Sequence, residues 1–546
     1  MSNTGPERPG EAAATGRLVK SSAVVGVGTG LSRLSGLLRV GALTYALGAT
    51  TLSDAYNLAN TTPNIVYELI LGGILSATLV PIFVDHLEHD DEEGTSTVVT
   101  VAVVSLAVLT LMAMLAAPLI IHIYALRLPT DEAAAQAEVA VPLLRLFLPQ
   151  IFFYGLMSLG TALLNARRSF FAPAYAPILN NVVVIAMLVG FAVVAGSSPS
   201  LDQVQGDTSL LLLLGVGTTA GIVAMTVALW PAIRRAGIRL RFRFDLRHPS
   251  VRKVAGLSGW TLGYAACNQV ALFVVLALAT GEGAGAVSAY TYAFIFFQLP
   301  HGLLAVSIMT TFLPDLSAFA ARLDFAGFRD RFGLGLRLLI LVILPAAVGY
   351  VLLARPVIAA LLERGAFGDT SGDLTAEVLA AMALGLVGFS VYLFVLRGFY
   401  ALKDTRTPFL LNLFENAVNI ALAFALVGRF GAQGLALAYA AAYSAAGLLA
   451  VFVLRRRIGG LDGRRTLSAI GRMAVAAVVM AVAVLLAREL IGSNEGLGAV
   501  ARTTAGVVVG AAVYLGALYA LRLQELHELV ARFRRRGAGN AATPAL

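Results

Sequence analysis

The sequence predicts an all-α polytopic membrane protein of about fourteen transmembrane helices, two pseudo-symmetric six-helix lobes followed by two extra C-terminal helices. Three observations predict it. Of 546 residues, 58% are hydrophobic and only 13% charged, a balance that a soluble chain could not bury. Apolar runs of about 20 residues, the length that crosses a bilayer as a helix, recur along nearly the whole chain, whereas the short alternating segments of a transmembrane barrel are absent. Finally, one stretch in the first half has a counterpart in the second.

Residues 1–19 lack an apolar core and are expected to be a flexible cytoplasmic tail, not a cleavable signal. The N-terminal lobe, 20–231, is expected to hold helices near 20–47, 55–84, 97–121, 140–165, 175–195 and 209–231. A basic cytoplasmic linker follows at 232–254. The C-terminal lobe, 255–454, is expected to hold helices near 255–279, 286–313, 333–354, 375–400, 408–428 and 432–454. Two more helices near 467–487 and 499–521 make up the segment 467–521. Gly506 and Gly510 give the last one a small-residue face for packing. The tail 522–546 is basic, and Arg532 to Arg536 suit anionic headgroups.

The repeat aligns Asn165 to Ala186 (NARRSFFAPAYAPILNNVVVIA) with Tyr400 to Ala421 (YALKDTRTPFLLNLFENAVNIA), 235 residues on, matching Pro173 with Pro408, Asn181 with Asn416 and Ile185 with Ile420. An even number of helices per unit inserts both copies the same way up, an arrangement that places a substrate cavity between two parallel lobes. Orientation follows from basic residues, which favour cytoplasmic loops. With the N-terminus inside, outward loops hold only five, Arg127, Arg355, Arg364, Arg429 and Arg488, so both termini are expected in the cytoplasm. One loop disagrees. Asp85 to Glu93 is acidic, carries no Lys or Arg, and is placed inside by parity alone. The net charge of +9 is thus mainly a topology signal, and nucleic acid is not expected as a partner.

Chemistry is expected where charge enters the apolar runs. Arg33, Arg39 and Glu68 lie in the first two helices, where each charge at the bilayer centre costs roughly 2.5–3.5 kcal/mol by insertion scales. The two arginines suit a cavity wall that binds phosphate or carboxylate through the forked guanidinium; the alternative is snorkelling or a structural ion pair with Glu68. Pro63, Asn64 and Gly72-Gly73 break the second helix, as Pro300, Gly302 and the Leu313-Pro314 end break the eighth. Helices broken at matched positions in two halves point to a transporter site. Gln298 and His301 would line it, the alternative for His301 being a helix-bend role. Arg397, Asp404 and Arg406 read as gate structure, with Asp404 capping the next helix and pairing with Arg406. Asn180, Asn181, Asn268, Gln269, Glu415, Asn416 and Asn419 are expected to join helices by hydrogen bonds.

Negative signals narrow the class. The three lysines, Lys20, Lys253 and Lys403, never follow a glycine, so no G-x-x-x-x-G-K-[ST] phosphate loop exists. No multi-cysteine or H-E-x-x-H metal pattern occurs, and the single Cys267 forbids an intrachain disulfide.

Several stretches resemble the MurJ (MviN) lipid II flippases of the multidrug/oligosaccharidyl-lipid/polysaccharide exporter superfamily: SRLSGLLR (Ser32 to Arg39), SDAYNLANTTPN (Ser53 to Asn64), GLLAVSIMTTFLP (Gly302 to Pro314), ERGAF (Glu363 to Phe367) and RGFYALKDTRTP (Arg397 to Pro408). The resemblance implies a non-enzymatic flippase in the bacterial inner membrane. It implies a cargo of undecaprenyl-diphosphate-linked muropeptide, moved outward by alternating access without a cofactor. Coupling would be to membrane potential or a monovalent ion, and partners would be membrane lipid and cell-wall synthesis enzymes. By motif match it places function on Arg33, Arg39 and Asp54. Tyr67 and Ile295 stand where the family commonly has arginine, which weakens the cationic cavity. Rival readings are an exporter of another polyprenyl-linked glycan, a drug/cation antiporter of the superfamily, and a non-transporting scaffold.

Overall fold

The structure, a computed structural model, describes residues 9–70, 79–196, 199–257, 259–461 and 463–527. Among these the chain is helices and turns, with no strand. It forms two compact units that divide between Gln269 and Val270. The first contains α1 (Pro9–Leu47), α2 (Thr51–Ile70), α3 (Val80–Glu88), α4 (Glu92–Tyr124), α5 (Thr130–Phe147), α6 (Pro149–Ala166), α7 (Phe171–Ala195), α8 (Leu201–Gly206), α9 (Thr208–Val227), α10 (Trp230–Arg235) and α11 (Pro249–Leu257). Helix α12 (Gly259–Thr280) carries the dividing point. The second unit continues with α13 (Ala286–Pro300), a π-helical turn at His301–Ala305, α14 (Val306–Ala321), α15 (Phe325–Leu362), α16 (Asp369–Ala383), α17 (Leu386–Ala401), α18 (Arg406–Arg457), α19 (Gly463–Leu490) and α20 (Gly496–Ala520).

Ten helical runs among the described residues are long and apolar enough to cross a membrane, and the pair α16–α17, bent by 48°, makes an eleventh. This is a multi-pass membrane protein. The 52 residues of α18 would measure about 78 Å if straight, far beyond one bilayer. Gly431 divides them, with φ 55° and ψ −140°, a conformation open to glycine and denied to most side chains. The break falls between the two spans expected at 408–428 and 432–454.

The units share one internal plan. In the first, α2 packs on α5, α4 on α5 and α6, α3 on α6, and α9 on α5 and α6; in the second, α13 packs on α16, α15 on α16 and α17, α14 on α17, and α18 on α16 and α17. Turn chemistry repeats too. Asp91 accepts from the Gly94 N–H at 2.7 Å to cap α4, and Asp324 accepts from the Gly327 N–H at 2.9 Å to cap α15. At the ends of α6 and α17, Arg168 and Lys403 are both left-handed, with φ 56° and 59°. Helices α19 and α20 lie outside the repeat and pack on each other and on α15. There Gly506 meets Leu353, and Gly510 meets Val484 and Met480.

Several boundaries differ from expectation. α1 already starts at Pro9, inside the stretch expected to be a tail. Pro314 does not end its helix: α14 runs through it to Ala321, because a proline removes one backbone bond and apolar packing on both sides holds the rest. The span expected at 375–400 is broken at Leu384-Gly385, where a Cβ on Gly385 would come within 2.4 Å of the Ala440 backbone. Gly72-Gly73 and Arg532 to Arg536 lie outside the described residues.

The acidic loop expected to defy the charge rule finds its counter-charge in the basic linker. Lys253 Nζ pairs with Asp85 at 3.1 Å and Arg243 pairs with Glu93. The Arg241 N–H donates to Ser96 Oγ at 3.2 Å, and the Arg243 N–H to Thr100 Oγ1 at 3.1 Å. The buried His86 adds Nε2 to Ser250 Oγ at 3.0 Å. Loop and linker therefore share one side of the membrane.

Candidate anion-binding site

Helix α1 is fixed by one face and offers another. Asn181 Nδ2 on α7 donates to Ser32 O at 3.2 Å and Ser35 Oγ at 2.9 Å, and a Cβ on Gly28 would touch Ala174 and Tyr175 at 3.0 Å. These contacts set the rotation of α1. Arg39 is then half-buried, and its charge acts on the hydroxyls of Tyr56 on α2 and Tyr154 on α6. Tyr56 is held by an edge contact with Phe147 and by a 2.9 Å hydrogen bond to Thr218, which itself donates to Leu214 O, so the tyrosine proton is committed there. Tyr154 packs against Tyr67 with ring centroids 4.2 Å apart and the planes tilted by 31°. Glu68 is exposed, within electrostatic range of both Tyr67 and Tyr154.

Among the described residues neither Arg33 nor Arg39 forms an ion pair, with Glu68 or any other acid. The ion-pair alternative for the two arginines is thus absent from this geometry. A partly desolvated guanidinium without an acidic partner has the charge and the donors to receive an anion. Arg33 is different: it is exposed, next to Leu34, which is 56% exposed. Asp54 is buried in the first turn of α2, where a carboxylate is favoured by the positive end of the helix. Pro63 is buried inside α2, and Asn64 is half-buried, donating to Asn60 O at 2.8 Å.

The second-unit residues do not form one lining. His301, in the π-helical turn after Pro300, is buried with Nδ1 3.0 Å from Ser390 Oγ and its ring edge-on to Phe389 at 4.8 Å. Tyr439 and Tyr443 extend that aromatic cluster. Gln298 is exposed and Ile295 half-buried. Arg397 is exposed at the end of α17. Asp404 accepts from the Thr407 N–H at 3.0 Å and from Thr407 Oγ1 at 2.6 Å, capping α18 as expected. Its ion partner is Arg457 at the far end of α18, not Arg406, which is exposed. The turn at Gly431 brings the two ends of α18 together and makes Arg457 the nearer cation. Burial raises the Asp404 carboxyl, but the Thr407 hydrogen bonds and the Arg457 charge outweigh it and hold the group below the ordinary carboxylate range. ERGAF closes the α15–α16 turn: Arg355 pairs with Glu363 and Asp373, and Gly365 has φ 66°.

One residue read as helix glue stands apart. Glu415 on α18 is 1% exposed, and neither carboxylate oxygen has a hydrogen-bond partner among the described residues. The Oδ1 of Asn419, one turn on, is also unmatched, and Tyr290 of α13 lies within electrostatic reach. The repeat aligns Glu415 with Asn180, so a carboxylate replacing an amide at matched positions was the available signal. Tyr154 gave none beyond an aromatic in an apolar run.

A family model described as "Lipid II flippase MurJ" matches residues 43–506, most of the chain. The chain belongs to the MurJ family. A probable lipid II flippase MurJ of Rhizobium meliloti (strain 1021) is 30% identical, over 95% of this chain and 97% of that protein. The lipid II flippase MurJ of Burkholderia cenocepacia is 29% identical, over 78% of this chain and 82% of its own. In fold, the chain resembles a solved lipid II flippase MurJ in an inward closed conformation, with TM-score 0.74 and 23% identity, over 91% of this chain and 98% of that one. It also resembles an inward-facing multidrug resistance MATE transporter of the MOP superfamily, with TM-score 0.65 and 16% identity, over 78% of this chain and 94% of that one. In this MurJ-family chain, Tyr67 packs against Tyr154, and Arg39 lies within electrostatic range of Tyr154.

Proposed function

We propose that this chain is a lipid II flippase, moving undecaprenyl-diphosphate-linked muropeptide from the inner to the outer leaflet of the bacterial inner membrane for cell-wall synthesis. The observation that carries the reading beyond family membership is Arg39, half-buried, without an acidic partner among the described residues, and within electrostatic range of Tyr56 and Tyr154. Its fork suits a diphosphate, and a drug cation would be repelled there. Arg33, Asp54 and Asn64 serve the same site from its edges, and Asp404, Arg397 and Arg406 form the loop structure that positions α17 and α18. The chain transports and does not catalyse; cell-wall synthesis enzymes supply and consume its cargo. Both termini face the cytoplasm, a reading supported by the basic linker that neutralises the one acidic inward loop.

Energy comes from the membrane potential, since an inside-negative potential of 100 mV drives a negative charge outward with a gain of roughly 2.3 kcal/mol. A buried carboxyl such as Glu415 is satisfied by a proton or a small cation, which favours a coupled ion in the resetting step. Cells from which the chain is depleted should accumulate lipid-linked precursor that is inaccessible from outside. An unchanged distribution of precursor across the leaflets after depletion would refute the assignment.

A further inference from the structure

The repeat places a pocket at the same turns in each unit, with opposite chemistry. In the first unit the pocket is lined by His86, Asp90, Asp91, Glu92, Arg167 and Arg239; three carboxylates face two arginines and a histidine, and the basic linker contributes Ile238 and Arg239 to it. In the second unit the related pocket is lined by Ser317, Leu323, Phe325, Tyr400, Lys403 and Arg457. Superposing the matched caps Asp91 and Asp324 sets Leu323 where the first unit has Asp90, and Phe325 where it has Glu92. No carboxylate lines this pocket.

Two residues that frame it, Leu323 and Lys403, are left-handed, with φ 56° and 59°. Their first-unit counterparts Asp90 and Arg168 share the conformation, with φ 52° and 56°, so the two pockets differ in their side chains and not in the shape of their turns. The nearby Asp404 is committed to Thr407 and Arg457. Lys403 is exposed and forms no ion pair among the described residues. Around it the ends of spanning helices expose apolar surface: Leu323 is 74% exposed, Phe325 38% and Tyr400 37%. A cation at a helix end, ringed by aromatic and aliphatic side chains, matches a phosphate at the membrane surface with its acyl chains lying alongside.

We propose that this pocket binds the headgroup of an anionic phospholipid from the adjoining leaflet, with Lys403 and Arg457 on the phosphate and Leu323, Phe325 and Tyr400 against the upper acyl chains. The site is independent of the cargo reading, because it is built from residues of the second unit alone and does not use Arg39.

The purified full chain in detergent, titrated with phosphatidylglycerol and followed by native mass spectrometry of lipid adducts, tests it. Lys403→Gly removes the cation and relieves the backbone, so phosphatidylglycerol should bind about fivefold more weakly, the worth of one lysine at an anionic surface, while lipid-free thermal unfolding stays the same or rises. Lys403→Gln should give the same loss of binding without the change in backbone freedom. The matched change in the first unit, Arg168→Gly, should leave binding unaltered. Parental affinity in both Lys403 variants, or equal binding of phosphatidylcholine, would overturn the proposal. Competition by inorganic phosphate as effective as that of the lipid would overturn the lipid source and leave a free-anion site.

Discussion

Two helices related by the repeat, α7 and α18, show how one scaffold is put to two uses. On α7, Asn181 spans to Ser32 and Ser35 and so fixes the helix that bears Arg39, while its neighbour Asn180 is buried with Oδ1 unpartnered among the described residues. On α18 the matching pair is Glu415-Asn416. Asn416 turns back on its own helix, donating to Asn412 O at 2.9 Å, and Glu415 is buried with neither oxygen partnered among the described residues. The first unit uses one member of its polar pair, Asn181, to fix the helix that bears Arg39. The second places a carboxyl where the first has an amide, buried and without a hydrogen-bond partner among the described residues. The same scaffold thus carries an arginine with no acidic partner among the described residues in one unit and a buried carboxyl in the other.

The comparison is sharpened most by removing the arginine. Arg39→Ala should abolish growth rescue in cells that depend on the chain, with protein level unchanged, since two charge-assisted hydrogen bonds at about 1.5–3 kcal/mol each correspond to well over a tenfold loss of binding. Arg39→Lys should restore part of it. Next in size, Glu415→Gln makes the second unit amide-like, as the first already is. The variant should fold and lose the dependence of transport on pH or monovalent cation, measured in vesicles at fixed potential. A retained dependence would break the contrast between α7 and α18. Asn181→Ala should cost about 1–3 kcal/mol of stability by thermal unfolding, because it leaves Ser32 and Ser35 without their donor. Smallest is Asp404→Ala, which removes a helix cap worth about 1 kcal/mol. Its pH signature follows from the depressed carboxyl: the stabilisation is fully present above the ordinary aspartate range and is lost as pH falls through the lower folded value. Denaturation of the parent and Asp404→Ala should therefore converge at acid pH.

Much of this was legible in the sequence because bilayer length and hydropathy impose helices; glycine marks breaks at Gly385 and Gly431, whereas Pro63 and Pro314, expected to break theirs, lie inside continuous helices. The repeat was legible at Pro173 and Pro408, and the turns at Arg168 and Lys403 lie inside it. What was not legible depends on contacts distant in sequence. Arg457 reaches Asp404 only because Gly431 reverses α18. The acidic loop at Asp85 to Glu93 looked misplaced until Arg243 and Lys253 were seen on it. Gln298 and His301 share a broken helix, yet a turn of only a few residues sends one outward and the other into an aromatic cluster. Whether Glu415 had a partner could be read from neither composition nor spacing, since both neighbouring asparagines offered one.

The most direct test is outward movement of lipid-linked precursor in vesicles containing the purified chain, under an imposed inside-negative potential. Undecaprenyl-diphosphate-linked muropeptide should become accessible outside with the parent chain, remain inside with Arg39→Ala, and stop appearing when the potential is collapsed at constant pH gradient. Movement by Arg39→Ala at the parent rate would contradict an arginine-centred diphosphate carrier.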